Sequence, residues 1–143
     1  TTEIYTLSLH DALPICLPTE AEWEYACRAG SRGQYSSGES ESDLARVSWY
    51  VGNSEFKTHP VGVKEPNAWG LYDMHGNVWE WCNDWYGTYD TTTLNPVQTK
   101  KSSYRVIRGG AWSENAADCR SSKRSKYYQG MSFNLIGFRV ARR

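Results

Sequence analysis

PNAWGLYDMHGNVWEWCNDWYG, residues 66–87, holds four of the chain's seven tryptophans (Trp69, Trp79, Trp81 and Trp85) among turn-forming pairs such as Trp69-Gly70, Gly76-Asn77 and Tyr86-Gly87. Its apolar residues keep neither the helical period of 3.6 nor the strand period of 2 for more than a few positions. The stretch therefore reads as an irregular, site-building segment, too broken for helix or sheet, whose indole rings pin it from below. Asp73, Gly76, Val78 and Glu80 form its best set of oxygen donors. Calcium takes roughly six to eight hard oxygens, and a glycine turn between two carboxylates can aim backbone carbonyls inward. The same residues allow a plainer arrangement, with Asp73 capping a turn and Glu80 paired to an arginine.

On the N-terminal side of this segment, LPTEAEWEYACRAG (17–30) carries the signals of a helix from Glu20 to Ala29. Thr19 and Glu22 have capping-box spacing, acidic residues crowd the first turn, and Gly30 comes next as a stop. Trp23, Ala26 and Cys27 share one face, the pattern of core packing. Residues 30–46 are rich in Ser, Gly and Glu and read as exposed loop. VSWYV (47–51) is expected to be a short strand, and HPVGV (59–63) an edge strand opened by proline. Beyond a polar loop at 88–103, YRVIRGGAW (104–112) reads as a strand bulged at Gly109-Gly110. IGFRVAR (136–142) reads as another, with Ile136, Phe138 and Val140 on one face. The sum is an α+β chain with low regular secondary structure and no internal repeat.

TTEIYTLSLHDALPI, residues 1–15, shares neither composition nor turn habit with residues 16–143. It resembles the translation of a short-read sequencing adapter and is expected to be foreign to the protein, leaving residues 16–143 as part of one domain. Cys16, whose codon would begin inside the adapter, is assigned no chemistry. Charge is unevenly spread: residues 16–99 hold 5 Lys/Arg and 12 Asp/Glu, and residues 100–143 hold 11 and 2. The basic residues are interspersed with glycine and serine turns instead of lining one helix, so the two halves are expected to neutralise each other and no nucleic-acid partner is expected. No apolar run approaches the roughly 20 residues of a membrane-spanning helix. Cys27, Cys82 and Cys119 have no CxxC spacing, which argues for buried thiols over a zinc or redox motif. His59 and His75 lack a second ligand at metal spacing and read as hydrogen-bonded structural residues.

LPTEAEWEYACRAG, PNAWGLYDMHGNVWEWCNDWYG, RVIRGGAW, CRSSKR and IGFRVAR, in this order, resemble the formylglycine-generating enzyme (sulfatase-modifying factor) family across residues 17–142. The resemblance implies an irregular C-type-lectin-like fold, of which this chain is the C-terminal part, with upstream strands missing. It also implies calcium held by the side chains of Asp73 and Glu80 and the carbonyls of Gly76 and Val78. A second calcium loop is shortened here to VGNSEFKTHP, so one calcium is expected. The family oxidises a substrate cysteine in a protein or peptide to formylglycine, with oxygen and copper(I) held by two thiolates after the Gly-Gly turn. In this chain that stretch, AWSENAADCRSSKR, offers only Cys119, so copper is not expected. Three readings are open: an enzyme-derived domain, such as that of an iron-dependent sulfoxide synthase; a noncatalytic ligand-binding or display module, with Trp112, Ser113, Asn115, Asp118, Lys123, Tyr127 and Tyr128 as its surface; or an accessory domain of a kinase or surface protein.

Overall fold

The computed structural model describes residues 14–89 and 96–142, so most of the N-terminal segment expected to be foreign lies outside them. Strand β1 (Ile15–Cys16) leads into helix α1 (Glu20–Arg28). The capping box is present in both directions: Thr19 Oγ1 accepts the Glu22 N–H, and the Glu22 carboxylate accepts the Thr19 N–H at 2.8 Å. The helix ends one residue earlier than expected, with Ala29 in the left-handed region (φ 45°) and its N–H bonded to the Tyr25 carbonyl.

The 30–46 stretch, expected to be loop, contains a second helix, α2 (Glu41–Val47). Ser40 and Asp43 make its capping box, while Leu44 and Val47 are its buried residues. So short an apolar stripe leaves little periodic signal, and the cap was the readable cue. Strand β2 is shorter than expected (Ser48–Trp49) and pairs in parallel with β3 (His75–Gly76). HPVGV forms no strand: the Gly62 N–H is bonded to Asp73 Oδ2 at 2.8 Å instead of to a neighbouring strand.

A four-stranded sheet frames the molecule, in the order β6 (Arg124–Tyr128), β5 (Tyr104–Arg108), β4 (Trp79–Trp85), β7 (Ile136–Gly137). Its seven-residue strand β4 lies within the segment expected to be too irregular for sheet. The hydrophobic period-2 signal was masked because the buried face of β4 carries Glu80 and Asp84 beside Cys82, while tryptophans occupy the other face. The bulge falls in β4, between Trp81 and Trp85. Gly109 and Gly110 terminate β5 at positive φ (100° and 82°) instead of bulging it. A Cβ on Gly110 would lie 2.6 Å from Cys119 Sγ, so this turn needs glycine for space as well as for conformation.

The final strand is split into β7 and β8 (Ala141–Arg142), and β8 pairs antiparallel with β1. Phe138 and Val140 are exposed, contrary to the alternation, while Arg139 turns inward to Glu80. A part-buried arginine–carboxylate pair has inverted the apolar pattern. Trp69 also fails to anchor the loop from below. It is exposed and packs edge-on against Tyr25 at 4.9 Å.

Candidate functional site

Alternation along the sheet sorts its residues onto two faces. Glu80, Cys82 and Asp84 of β4, Val106 and Arg108 of β5, and Arg124 of β6 turn toward α1. Val106 and Cys82 pack with Trp23 and Cys27, and the Asp84 carboxylate accepts the Glu20 N–H at 2.7 Å. Arg108, fully buried, bonds Glu24 and the Lys123 carbonyl. Its Nε lies 3.4 Å from Glu20 Oε1, within ion-pair range but not aligned for a hydrogen bond. Arg124 grips Glu20 through two bonds, of 2.6 and 2.8 Å. Acidic residues of the first half thus meet basic residues of the second, as the charge distribution led one to expect.

Trp79, Trp81, Ile107 and Tyr127 turn the other way and build an open face. A cavity of about 260 Å³ lies on it, with Trp79, Ile107 and Ile136 among its apolar walls and Glu114, Asp118 and Lys123 on its rim. Lys123 Nζ stands 2.6 Å from Asp118 Oδ1, and Trp79 Nε1 donates to Glu114 Oε1 at 3.2 Å. Tyr127 stacks on Phe133 with ring centroids 5.9 Å apart. Apolar walls with a few fixed polar groups suit an amphipathic ligand.

Of the seven residues expected to form a ligand surface, Asp118, Lys123 and Tyr127 line this cavity and the other four do not. The Trp112 carbonyl accepts the Ser54 hydroxyl at 2.7 Å, and Asn115 caps a 3-10 turn, Ala116–Cys119. Tyr128 pairs with Tyr104 across β5 and β6, hydroxyl to hydroxyl at 2.8 Å. Ser113 is half-buried outside the lining. Glu114, Trp79 and Ile107 were missed, although a strict period-2 reading of WEWCNDW and YRVIR would have placed Trp79, Trp81 and Ile107 on one face.

Asp73, Val78 and Glu80 line a separate depression beside Arg139, and Gly76 is buried next to them. Gly76 has φ 68° and lies against β2, where an added Cβ would strike the Trp49 carbonyl. Both Glu80 oxygens accept from Arg139 (2.6 and 2.7 Å), and Oε2 also accepts from Trp23 Nε1 at 2.6 Å. Asp73 Oδ2 takes the Gly62 N–H, whereas Asp73 Oδ1 is buried without a partner. Among the described residues no three His, Cys, Asp or Glu side chains converge as a metal cluster. The fit to calcium is thus divided: Asp73 offers a free oxygen, and Glu80 would have to exchange a guanidinium for the cation.

The thiols lie in the interior. Burial, with Glu114 and Asp118 nearby, pushes the Cys119 thiol up to about 12, and burial likewise pushes Cys27 to about 12. Neither is a thiolate near neutral pH. His75, fully enclosed, lies 3.6 Å from Cys27 Sγ through Nε2. Nε2 accepts the Ser36 N–H at 3.0 Å and Nδ1 sits 2.8 Å from the Cys119 carbonyl, which sets the neutral tautomer with hydrogen on Nδ1. Burial holds its pKa down at about 4. His59 bonds the Ser54 carbonyl through Nε2 at 2.8 Å and stacks on Trp49. Both histidines are hydrogen-bonded structural groups, as expected.

A family model described as the sulfatase-modifying factor enzyme 1-like domain matches residues 7–143, and the chain belongs to that family. Among solved structures, Treponema denticola variable protein 1 superposes with a TM-score of 0.87 at 39% identity, over 93% of this chain and 49% of that one. Such neighbours are consistent with the C-type-lectin-like fold. The serine/threonine-protein kinase pkn1 of Chlamydia pneumoniae is 39% identical over 88% of this chain and 20% of its own length. The formylglycine-generating enzyme of Mus musculus is 33% identical over 94% of this chain and 42% of its length. The chain thus spans less than half the length of these curated relatives. No helix among the described residues is long and apolar enough to cross a membrane.

Proposed function

We propose that this domain recognises a ligand, such as a protein or peptide segment, on the open face of its sheet and does not oxidise cysteine through a copper–thiolate pair. What carries this reading is the stretch after Gly109-Gly110. It contributes Glu114 and Asp118 to the cavity, while Cys119, its one thiol, is enclosed and held protonated. Copper(I) chemistry of the family's kind needs two accessible soft sulfurs, and one enclosed thiol packed against Gly110 does not substitute for them. The likeness to a protein described as variable supports a binding module, because a rigid sheet with loop-borne rim residues tolerates changes of ligand. The decisive experiment incubates the protein with copper(I), oxygen and a CxPxR peptide and seeks the aldehyde by mass spectrometry. No aldehyde above a copper-free control is expected, and sustained turnover would overturn the reading.

Calcium forms the second part of the proposal, favoured by the buried, unpartnered Asp73 Oδ1. Asp73 and Glu80 would supply carboxylates and Gly76 and Val78 carbonyls, and the bound cation would stiffen the loop that enters β4. Calorimetric titration of wild type and Glu80→Gln tests it. The wild type should bind one equivalent and Glu80→Gln should bind measurably less; identical isotherms remove the site.

A further inference from the structure

A second cavity of about 260 Å³ opens beside Trp81 of the same sheet face, with Leu17 and Trp81 as its apolar walls and Cys82, Asn83, Arg105, Gln129 and Gly130 completing its lining. Arg105 and Tyr127 are cross-strand partners on β5 and β6, so the two cavities lie on either side of the Trp81–Tyr127 pair. The Arg105 guanidinium is fixed in place. It stacks over the Trp85 ring at 3.7 Å, donates from Nε to Gln129 Oε1 at 3.1 Å, and donates from Nη1 to the Asn83 carbonyl.

All of these partners are neutral. Arg108, Arg124 and Arg139 each hold a glutamate, but among the described residues no carboxylate lies within ion-pair range of Arg105. An ordered guanidinium beside apolar walls lacks only its counter-ion, and its planar fork matches the geometry of a carboxylate. We propose that this cavity binds the carboxylate of an apolar acid, which either a small carboxylic acid or a free peptide C-terminus can supply. The cavity's size suits a single aromatic or branched group behind that carboxylate. The proposal stands on Arg105 and this cavity, independently of what occupies the Glu114–Asp118 site.

Titration of the protein with 3-phenylpropionate, followed by tryptophan fluorescence and by amide shifts of residues 81–85 and 105, tests the idea against 3-phenylpropionamide. A parallel arm compares a tripeptide ending in phenylalanine as free acid and as amide. The acids should saturate and outbind their amides by about tenfold or more, the effect of a charge-assisted bond. Arg105→Gln should abolish that preference, and Arg105→Lys, which keeps charge but loses the fork, should retain only part of it. Binding confined to the small acid assigns it as the source, and equal binding of the peptide acid assigns a C-terminus; both support the site. Equal affinity of acids and amides, no binding by either acid, or an acid preference unchanged in folded Arg105→Gln or Arg105→Lys overturns it.

Discussion

Arg105 and Arg108 lie three residues apart on one strand and have opposite surroundings. Arg108 is enclosed between α1 and the sheet, ion-paired to Glu20 and Glu24, with the Trp23 ring 5.3 Å away. Arg105 sits on the other face among neutral partners, open to a cavity. An odd difference in position on a strand reverses the face, so one short segment, YRVIR, serves both the interior and the surface. Charge on the α1 side is consumed in holding the frame, whereas Arg105 on the open side has no carboxylate within ion-pair range among the described residues.

The hardest test of that contrast is mutational. Arg108→Ala removes the enclosed guanidinium that Glu20 and Glu24 share, leaving Glu20 to Arg124 and Glu24 to Arg28, and should still cost about 3 kcal/mol. Arg105→Ala should cost under about 1 kcal/mol, since its neutral partners can turn to water. Urea unfolding followed by tryptophan fluorescence measures both. Equal losses would erase the distinction between the two faces.

Acid should act on the interior in a predictable direction. An unfolded histidine titrates near 6.5, whereas folded His75 is held at about 4 by burial. Between those values the unfolded chain binds the extra proton and the folded chain does not. Stability therefore falls as pH drops from about 6.5 to about 4, by about 3 kcal/mol at most, and the loss levels off below that window. Thermal melts of His75→Gln across the window should show a flatter pH dependence than wild type, even if the variant begins less stable. A slope unchanged by the substitution would mean that other groups carry the acid sensitivity. Among the described residues the open face has no comparable enclosed histidine, so ligand binding there should lack this step.

The two regions also differed in how readable they were. Helix α1 was legible because Thr19, Glu22 and the Trp23–Cys27 stripe act within one turn of each other. The partners of its acids were not individually legible, because Arg108 and Arg124 lie some hundred residues away from Glu20, and sequence could express only the charge imbalance between the halves. Strand β4 was hidden for a related reason: Glu80 and Asp84 are buried by distant partners, Arg139 among them, so hydrophobicity ceased to mark the inward positions. On the open face, Asp118, Lys123 and Tyr127 were anticipated because the loop after the glycine pair is where polar and aromatic residues gather. Trp112 and Asn115 belong to the same loop, but their backbone and capping bonds turn them to structural use, and only the fold reveals which residues reach the cavity.

The smallest expected effect probes the contrast most finely. Lys123–Asp118 and Arg124–Glu20 are neighbouring ion pairs of similar length, 2.6 Å each, but Lys123 and Asp118 remain about a third and a fifth exposed, whereas Glu20 is almost entirely enclosed. Water competes for the first pair and is excluded from the second, so Lys123→Ala should change stability by less than about 1 kcal/mol. A double-mutant cycle with Asp118→Ala isolates the coupling, and the same cycle on Arg124 and Glu20 should return a larger value. If Lys123 and Asp118 serve recognition, the substitution that barely moves the unfolding midpoint should still change which ligands the Trp79–Ile107 cavity accepts. A stability loss as large as that of the enclosed pair would place Lys123 with the frame and remove it from the site.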